Sequence, residues 1–342
     1  MVFCTISAAN HLPKAAALAK SLKQTQASHE LVLCLVERDV SSAQNVKDCF
    51  DEIVLASDIG ISDFDRFVFR YTVTEACSAI KAQFLLWAMK AFPEEQAFIF
   101  LDPDVFAYSR FEELELLQAK ASILLTPHVL YDEQCVDRIR DNIFRVLVAG
   151  TFNMGFFALR RCPIAFEFLE WWNRKLQAFC YMDWTRGFFA DQKWVLLATS
   201  FFDVQVLREP GYNVANWNVY ERRLTLSQSD GYLVRGKPLR FFHFSGIDTG
   251  RDLYYCRKQL NENHPVFDMR DKYLDEVRGF DAGGQSGKAW SYDYFFSGER
   301  VHEARLAFRN NPKLAQVFPE PFMASGAAIF SSLASPNRAR ST

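Results

Sequence analysis

Apolar residues fall in two patterns along this chain: short unbroken runs, and stretches with an apolar position at every third or fourth place. Residues 2–6, 30–36 and 52–56, and the run from Ala97 that ends at Asp102, are of the first kind. They read as strands buried on both faces. Between them, residues 13–22 are rich in Ala and Lys and read as a helix ending near Gln24, and a short helix is expected around residues 42–49. Thr74 can cap a helix that runs to about Ala91, with Glu75 in its first turn. This β-α-β order predicts an α/β fold with a doubly wound, mostly parallel sheet and helices on both faces.

The second half is more mixed. Residues 121–126, 152–159, 203–207 and 239–244 read as strands. Residues 132–147, 163–179 and 190–198 read as helices, the second with Pro163 in its first turn. No linker separates the halves and no internal repeat is visible. After about Gly279 the pattern weakens: residues 282–287 read as a flexible turn or loop, and residues 331–342, rich in Ser, Ala and Arg, read as a mobile tail.

Composition narrows the class. The chain has 342 residues, 49% hydrophobic and 23% charged, the profile of a soluble globular protein. Its 39 basic and 41 acidic residues give a net charge of -2, and no basic block offers a footprint for nucleic acid. The 33 phenylalanines read as a bulky aromatic core. None of the eight cysteines forms a CxxC, and most lie inside apolar runs such as Val32-Leu33-Cys34-Leu35-Val36. Free thiols in a reducing compartment fit them best, which points to the cytoplasm. The N-terminus lacks the basic start of a signal peptide, and no apolar run reaches the about 18 residues of a membrane span.

The chemistry begins where the strand from Ala97 meets Asp102-Pro103-Asp104. Alternate residues of an extended chain share a face, so both carboxylates can point the same way at the carboxyl edge of the sheet, where ligands of open α/β sheets bind. Two like charges that close call for a cation; Mg²⁺ or Mn²⁺ takes oxygen ligands and bridges to phosphates. A plain turn would use the same residue types. His243 ends another apolar strand beside a Gly turn and can supply a nitrogen to a metal or be a satisfied core residue. Asn153 and Gly155 open a strand, where the amide can hold a hydroxyl and the glycine can allow close approach, or where a bulge can form. Asp191-Gln192 starts a helix, Tyr212-Asn213 follows Pro210-Gly211 in a loop, and Trp217-Asn218 can stack on a sugar or anchor the core. Neither GxGxxG nor a P-loop is present.

The order Asp102-Pro103-Asp104, Phe152-Asn153-Met154-Gly155, Asp191-Gln192, Tyr212-Asn213, His243-Phe244-Ser245-Gly246 resembles the family 8 retaining glycosyltransferases of the GT-A fold. Their pattern runs Asp-x-Asp, Phe-Asn-x-Gly, Asp-Gln, Tyr-Asn, His-x-x-Gly, and the likeness covers about residues 1–250. The resemblance implies a GT-A domain over residues 1–280, with a nucleotide-binding half (1–110) and an acceptor half (111–280), then a C-terminal extension (281–330) and the tail. It implies Mn²⁺ or Mg²⁺ on Asp102, Asp104 and His243, with the nucleotide lined by Thr5, Ser7 and Asn10 and the donor contacted by Lys81. It assigns Asn153 and Asp191 to sugar hydroxyls and sets Gln192 beneath the anomeric carbon; Gly155, Tyr212, Asn213 and Gly246 join the donor side. The expected partners are a nucleotide-sugar donor, a UDP-sugar first, and a glycan, lipid-linked or protein acceptor, the lipid-linked case bringing peripheral contact with the inner membrane face.

One position departs from that pattern. The family continues His-x-x-Gly-x-x-Lys-Pro-Trp, whereas this chain has Thr249 at the lysine and no Pro-Trp, with Arg251 two residues on as a substitute. A sister family on the same fold, building bacterial polysaccharides or glycans, fits this better, and an inverting transferase is the alternative. A sugar-nucleotide pyrophosphorylase would want a Gly-rich basic loop after the first strand, where Ala8-Ala9-Asn10-His11-Leu12-Pro13 stands instead. A non-catalytic glycan-binding protein would not need both acids, His243 and Asp191-Gln192 together.

Overall fold

Alternation within the central strands dictates the architecture. In β1 (Val2–Ser7), Val2, Cys4 and Ile6 join one apolar cluster with Val32, Cys34, Phe98 and Phe100. Phe3 joins a second cluster with Leu31, Leu33, Leu35, Ile99 and Leu101. Both faces of the sheet are therefore apolar, and both must be covered. On one face lies α1 (Leu12–Thr25), through Leu12, Ala15, Leu18 and Leu22, with α7 (Val266–Phe280) packed against it. On the other lie α3 (Lys81–Ala91) and α4 (Pro163–Phe179), packed together and contributing Phe84, Leu85, Phe168 and Trp172. The computed structural model describes residues 1–26, 29–114, 121–281 and 283–334.

The protein is thus mixed α/β, with a seven-stranded sheet at its centre. Its other strands are β2 (Glu30–Leu35), β3 (Glu52–Leu55), β4 (Ala97–Leu101), β6 (Ile123–Pro127), β7 (Phe152–Arg160) and β8 (Val204–Val206). The order is β8-β6-β7-β4-β1-β2-β3. All pairings are parallel except those of β7, which runs against β4 and β6. That reversal matters for function: β7 starts at the edge where β1 and β4 end. A small sheet abuts this edge, formed by β5 (Val105–Ala107), β9 (Val214–Ala215) and β10 (Phe241–His243) in the order β9-β10-β5.

Several expected elements differ in detail. Thr72, not Thr74, caps the helix before β4: its hydroxyl accepts from Glu75 N, and the Glu75 carboxylate accepts from Thr72 N. This reciprocal capping box starts α2 (Val73–Ala79), which breaks at Ile80 before α3 begins. Residues 42–49 form two 3-10 turns, Val40–Ala43 and Lys47–Cys49, instead of a helix. The helix expected over 132–147 carries a π turn, Ile139–Ile143, and ends at Ala149 before Gly150 at φ 118°. The one expected over 190–198 starts only at Gln192, because Ala190 sits at φ 45°, outside helical space, and it divides into α5 (Gln192–Val195) and Ala198–Phe201.

The C-terminal extension is part of the body. Trp290, Tyr292, Phe308 and Phe322 share the cluster of α3 and α4. Buried Arg305, on α8 (His302–Asn310), donates to the carbonyls of Val68, Phe69, Tyr71 and Tyr292. Residues 331–334, expected in a mobile tail, complete the helix Gly326–Ala334; the remainder of that tail and Ala282 lie outside the described residues. All eight cysteines are free, and no helix of the described residues is long and apolar enough to cross a membrane.

Candidate active site

Strand pairing brings the two acids and the histidine together. Past the end of β4, Asp102 N donates to Gly155 O of antiparallel β7 at 2.9 Å, and Val105 N turns back to Asp102 O at 3.1 Å. The chain enters β5, which pairs antiparallel with β10 so that His243 lies opposite Val105, and Phe244 N donates to Asp104 O at 2.8 Å. His243 Nε2 then stands 3.0 Å from Asp104 Oδ1 and 3.9 Å from Asp102 Oδ2. One ligand atom from each residue lies within 4.8 Å of the others. Gly155 keeps this corner open, because a Cβ there would collide with His243 Cε1 and stand 2.7 Å from Asp102 Oδ2.

These residues fit a divalent cation. Two carboxylates and an imidazole are a donor set for such an ion. Asn213 Nδ2 donates to Asn153 Oδ1 at 3.0 Å, so Asn213 Oδ1 is turned toward His243 Nδ1, 3.3 Å away, and accepts its proton. That leaves the Nε2 lone pair for the acids' side, the outer-shell arrangement that orients metal-ligating histidines. Burial alone would raise the Asp104 carboxyl, but His243, Lys14 and His11 outweigh it and hold it well below the usual range. Burial would lower His243, but Asp104 and Asp102 outweigh it and raise it. The corner thus favours positive charge, which a proton on His243 or a divalent cation in its place can supply.

The opposite wall is built on Lys81, which is buried. Its Nζ lies 3.1 Å from Asp102 Oδ1, 3.0 Å from Asp191 Oδ2 and 3.1 Å from Met154 O. Burial would lower its pKa, yet Asp102 and Asp191 raise it well above the ordinary value, so it stays charged. All three ammonium protons are engaged within the protein. Lys81 therefore braces two acids while lining the cleft. Gln192 is also fixed: Nε2 donates to Ala149 O at 3.0 Å, and Oε1 accepts from Met154 N at 3.4 Å. Trp172 Nε1 holds Asp191 O at 3.1 Å.

A cleft of about 320 Å³ opens between these walls. Of the residues singled out by sequence, Ser7, Asn10, Lys81, Asp102, Asp104, Asn153, Gly155, Asp191, Gln192 and His243 line it. Four do not. Thr5 is fully buried within β1. Tyr212 packs among Phe111, Phe156 and Phe241 with its hydroxyl 3.0 Å from Glu113, because the loop turns its ring into the core. Asn213, at φ 52°, stands behind His243. Gly246, at φ 79°, makes the turn after Ser245, which does line the cleft. Arg251 is exposed at the start of α6 (Arg251–Gln259) and is not a lining residue. Trp217 is a buried anchor, edge-on to both His243 and His128, with ring centroids at 5.2 and 5.5 Å.

Other lining residues escaped the sequence reading. Thr74, Cys77 and Ser78 share the cleft wall with Lys81. Their spacing of three, four and seven residues is a helical face and was a usable signal. Met182 and Phe189 come from a hairpin of two-residue strands, Met182–Asp183 and Phe188–Phe189, too short for periodicity to reveal.

No protein-family model matches the chain. Among curated proteins it is similar to two uncharacterized proteins of Bacillus subtilis (strain 168). YfnF is 28% identical over 296 residues, 81% of this chain and 96% of that protein. YfnD is 27% identical over 291 residues, 81% of this chain and 90% of that protein. Among solved structures, the chain is similar to the galactosyltransferase LgtC in complex with donor and acceptor sugar analogs, with a TM-score of 0.47 and 12% identity over 82% of this chain and 96% of that one. It is also similar to a glycosyltransferase involved in glycosylation of the major capsid of PBCV-1 (TM-score 0.43, 12% identity, 75% and 99% covered). A third is mouse xyloside xylosyltransferase 1 (TM-score 0.41, 14% identity, 72% and 99% covered).

Proposed function

We propose that this protein is a metal-dependent glycosyltransferase of the GT-A type. It moves a sugar from a nucleoside-diphosphate sugar, a UDP-sugar first, to a glycan, lipid-linked or protein acceptor, with retention at the anomeric carbon. The observation that carries this reading is the meeting of Asp102, Asp104 and His243 at the carboxyl edge of the central strands, across one cleft from Asp191 and Gln192. Ligands of open α/β sheets bind at that edge.

A divalent cation bound by Asp102, Asp104 and His243 would offset the charge that develops on the leaving diphosphate. The chain's own groups do the rest. Lys81 fixes Asp102 and Asp191 relative to each other. Ser7 and Asn10 line the nucleotide half, residues 1–110; Asn153 and Asp191 face the sugar hydroxyls; Gln192 presents an amide to the anomeric carbon. What the acids are already doing supports retention. An inverting enzyme needs a free carboxylate to take the acceptor's proton. The carboxylates lining the cleft are Asp102, Asp104 and Asp191; the first two face His243 and the third is held by Lys81. The leaving phosphate then takes that proton.

The free cysteines support a reducing, cytoplasmic setting, with polysaccharide assembly as the role. A lipid-linked acceptor would draw the protein to the inner membrane face. The test is incubation with a panel of nucleotide sugars and Mn²⁺, following donor hydrolysis and the anomeric configuration of the released sugar by early-time NMR. The reading expects one donor to be consumed with its α-anomer kept. No turnover of any donor would overturn it, and a β-anomer from an α-linked donor would overturn retention.

A further inference from the structure

The C-terminal extension packs against the part of the cleft that carries Asn10. The 3-10 turn Ala9–His11, between β1 and α1, presents Asn10 and His11 to the cleft. Two pieces of the extension hold it from behind. The 3-10 turn Gln285–Gly287 packs directly on it and on α1. The second contact runs through Glu37, which is only 4% exposed. Its Oε1 accepts from Ala9 N at 2.8 Å, and its Oε2 accepts from Ser291 N at 3.0 Å. One buried carboxylate thus joins the substrate-lining turn to the extension, with a donor on each oxygen. Charge-assisted bonds to backbone N–H groups are stronger than neutral ones, and a buried donor deprived of its acceptor is costly.

The joint is reinforced on both sides of Glu37. Trp290 Nε1 donates to Val36 O at 2.7 Å, and Arg38 N donates to Ser291 Oγ at 3.0 Å. The Arg38 guanidinium lies 4.5 Å from the Tyr292 ring centroid and 4.4 Å from those of Phe296 and Phe322. Such placement over ring faces is attractive. None of these extension residues lines the cleft, so at this corner their effect on substrate passes through the turn.

We propose that the extension is the rear support of the donor pocket and that Glu37 is the positioning residue that couples it to the Ala9–His11 turn. This rests on the glycosyltransferase reading, which supplies the donor. Burial that serves the core alone would affect melting; positioning affects nucleotide affinity while leaving the cation corner intact, because Asp102, Asp104 and His243 have no contact with Glu37 among their hydrogen bonds and ion pairs.

Two full-length variants test it. Glu37→Gln keeps one acceptor for Ala9 N and turns an amide N–H toward Ser291 N. Ser291→Pro removes the N–H that Glu37 accepts and the hydroxyl that serves both Glu37 and Arg38 N. Proline suits the first position of the turn Ser291–Asp293, whose preceding residue, Trp290, is extended at ψ 131°. Calorimetry would follow Mn²⁺ alone, and then UDP, GDP, ADP and CDP with saturating Mn²⁺. The expected result is an unchanged Mn²⁺ affinity and a roughly tenfold weaker Kd in either variant for whichever nucleotide the wild type binds. Faster amide exchange at Ala9, Asn10 and His11 should accompany it. Wild-type nucleotide affinity in Ser291→Pro, or in both variants, overturns the inference alone. A wild type that binds none of the four nucleotides overturns the glycosyltransferase reading, and this inference with it.

Discussion

Asn213 Oδ1 lies 3.3 Å from His243 Nδ1 and sets which face of the imidazole meets Asp104. Asn213 sits at φ 52°, where few side chains other than Asn and Asp are tolerated, and Gly is free to follow. Asn213→Gly should therefore keep the loop while losing the bond to His243 together with the one to Asn153. Outer-shell partners of this kind are worth about 10–100-fold in metal affinity. We expect a weakening of Mn²⁺ binding of about tenfold or more by calorimetry, with a near-normal melting temperature. Unchanged affinity would mean that Asn213 does not orient the histidine.

Lys81→Met should destabilise the fold. It strips the partner from two carboxylates, one of them buried, and breaking a buried ion pair from one side costs about 3–5 kcal/mol. Urea unfolding should show a loss of about 3 kcal/mol, recovered in part by Lys81→Met combined with Asp191→Asn. A loss below about 1 kcal/mol would contradict the brace.

His128 supplies the pH test. Burial pushes its imidazole from the usual 6.5 down to about 4, and its Nε2 accepts from Asn153 Nδ2 at 3.3 Å. The unfolded chain takes the proton near 6.5 and the folded one only near 4, so the unfolded state binds more protons across that window. Stability is full above the upper value and falls as pH drops toward the lower one. Between about pH 7 and about pH 4.5 the wild type should lose about 2 kcal/mol more than His128→Gln. Equal losses in the two proteins would contradict a depressed His128.

Much of the site was legible because its residues sit at element ends, where punctuation is strong. Asp102-Pro103-Asp104 follows an apolar run, and His243 precedes a Gly turn. What the sequence could not convey was orientation. Tyr212 and Asn213 are adjacent to the site's strands, yet the ring of the first enters the core and the amide of the second stands behind His243. Thr72 and Thr74 both suit a cap, and only the bond back from Glu75 separates them. The joint of Glu37 to Ser291 spans most of the chain, a separation at which local patterns carry no information.

If Asp102, Asp104 and His243 hold a divalent cation, donor binding should depend on it. Calorimetry of UDP binding, with Mn²⁺ and after EDTA, in the wild type and in Asp104→Asn, tests it most directly, the other nucleoside diphosphates being substituted if UDP is not the one bound. Asp104 is turned inward to His243 and carries no ion pair to the opposite wall, so the Asn variant should fold normally. Nucleotide should bind with Mn²⁺, and that binding should be lost both in EDTA and in the variant. Undiminished binding in EDTA, or in Asp104→Asn, would contradict it.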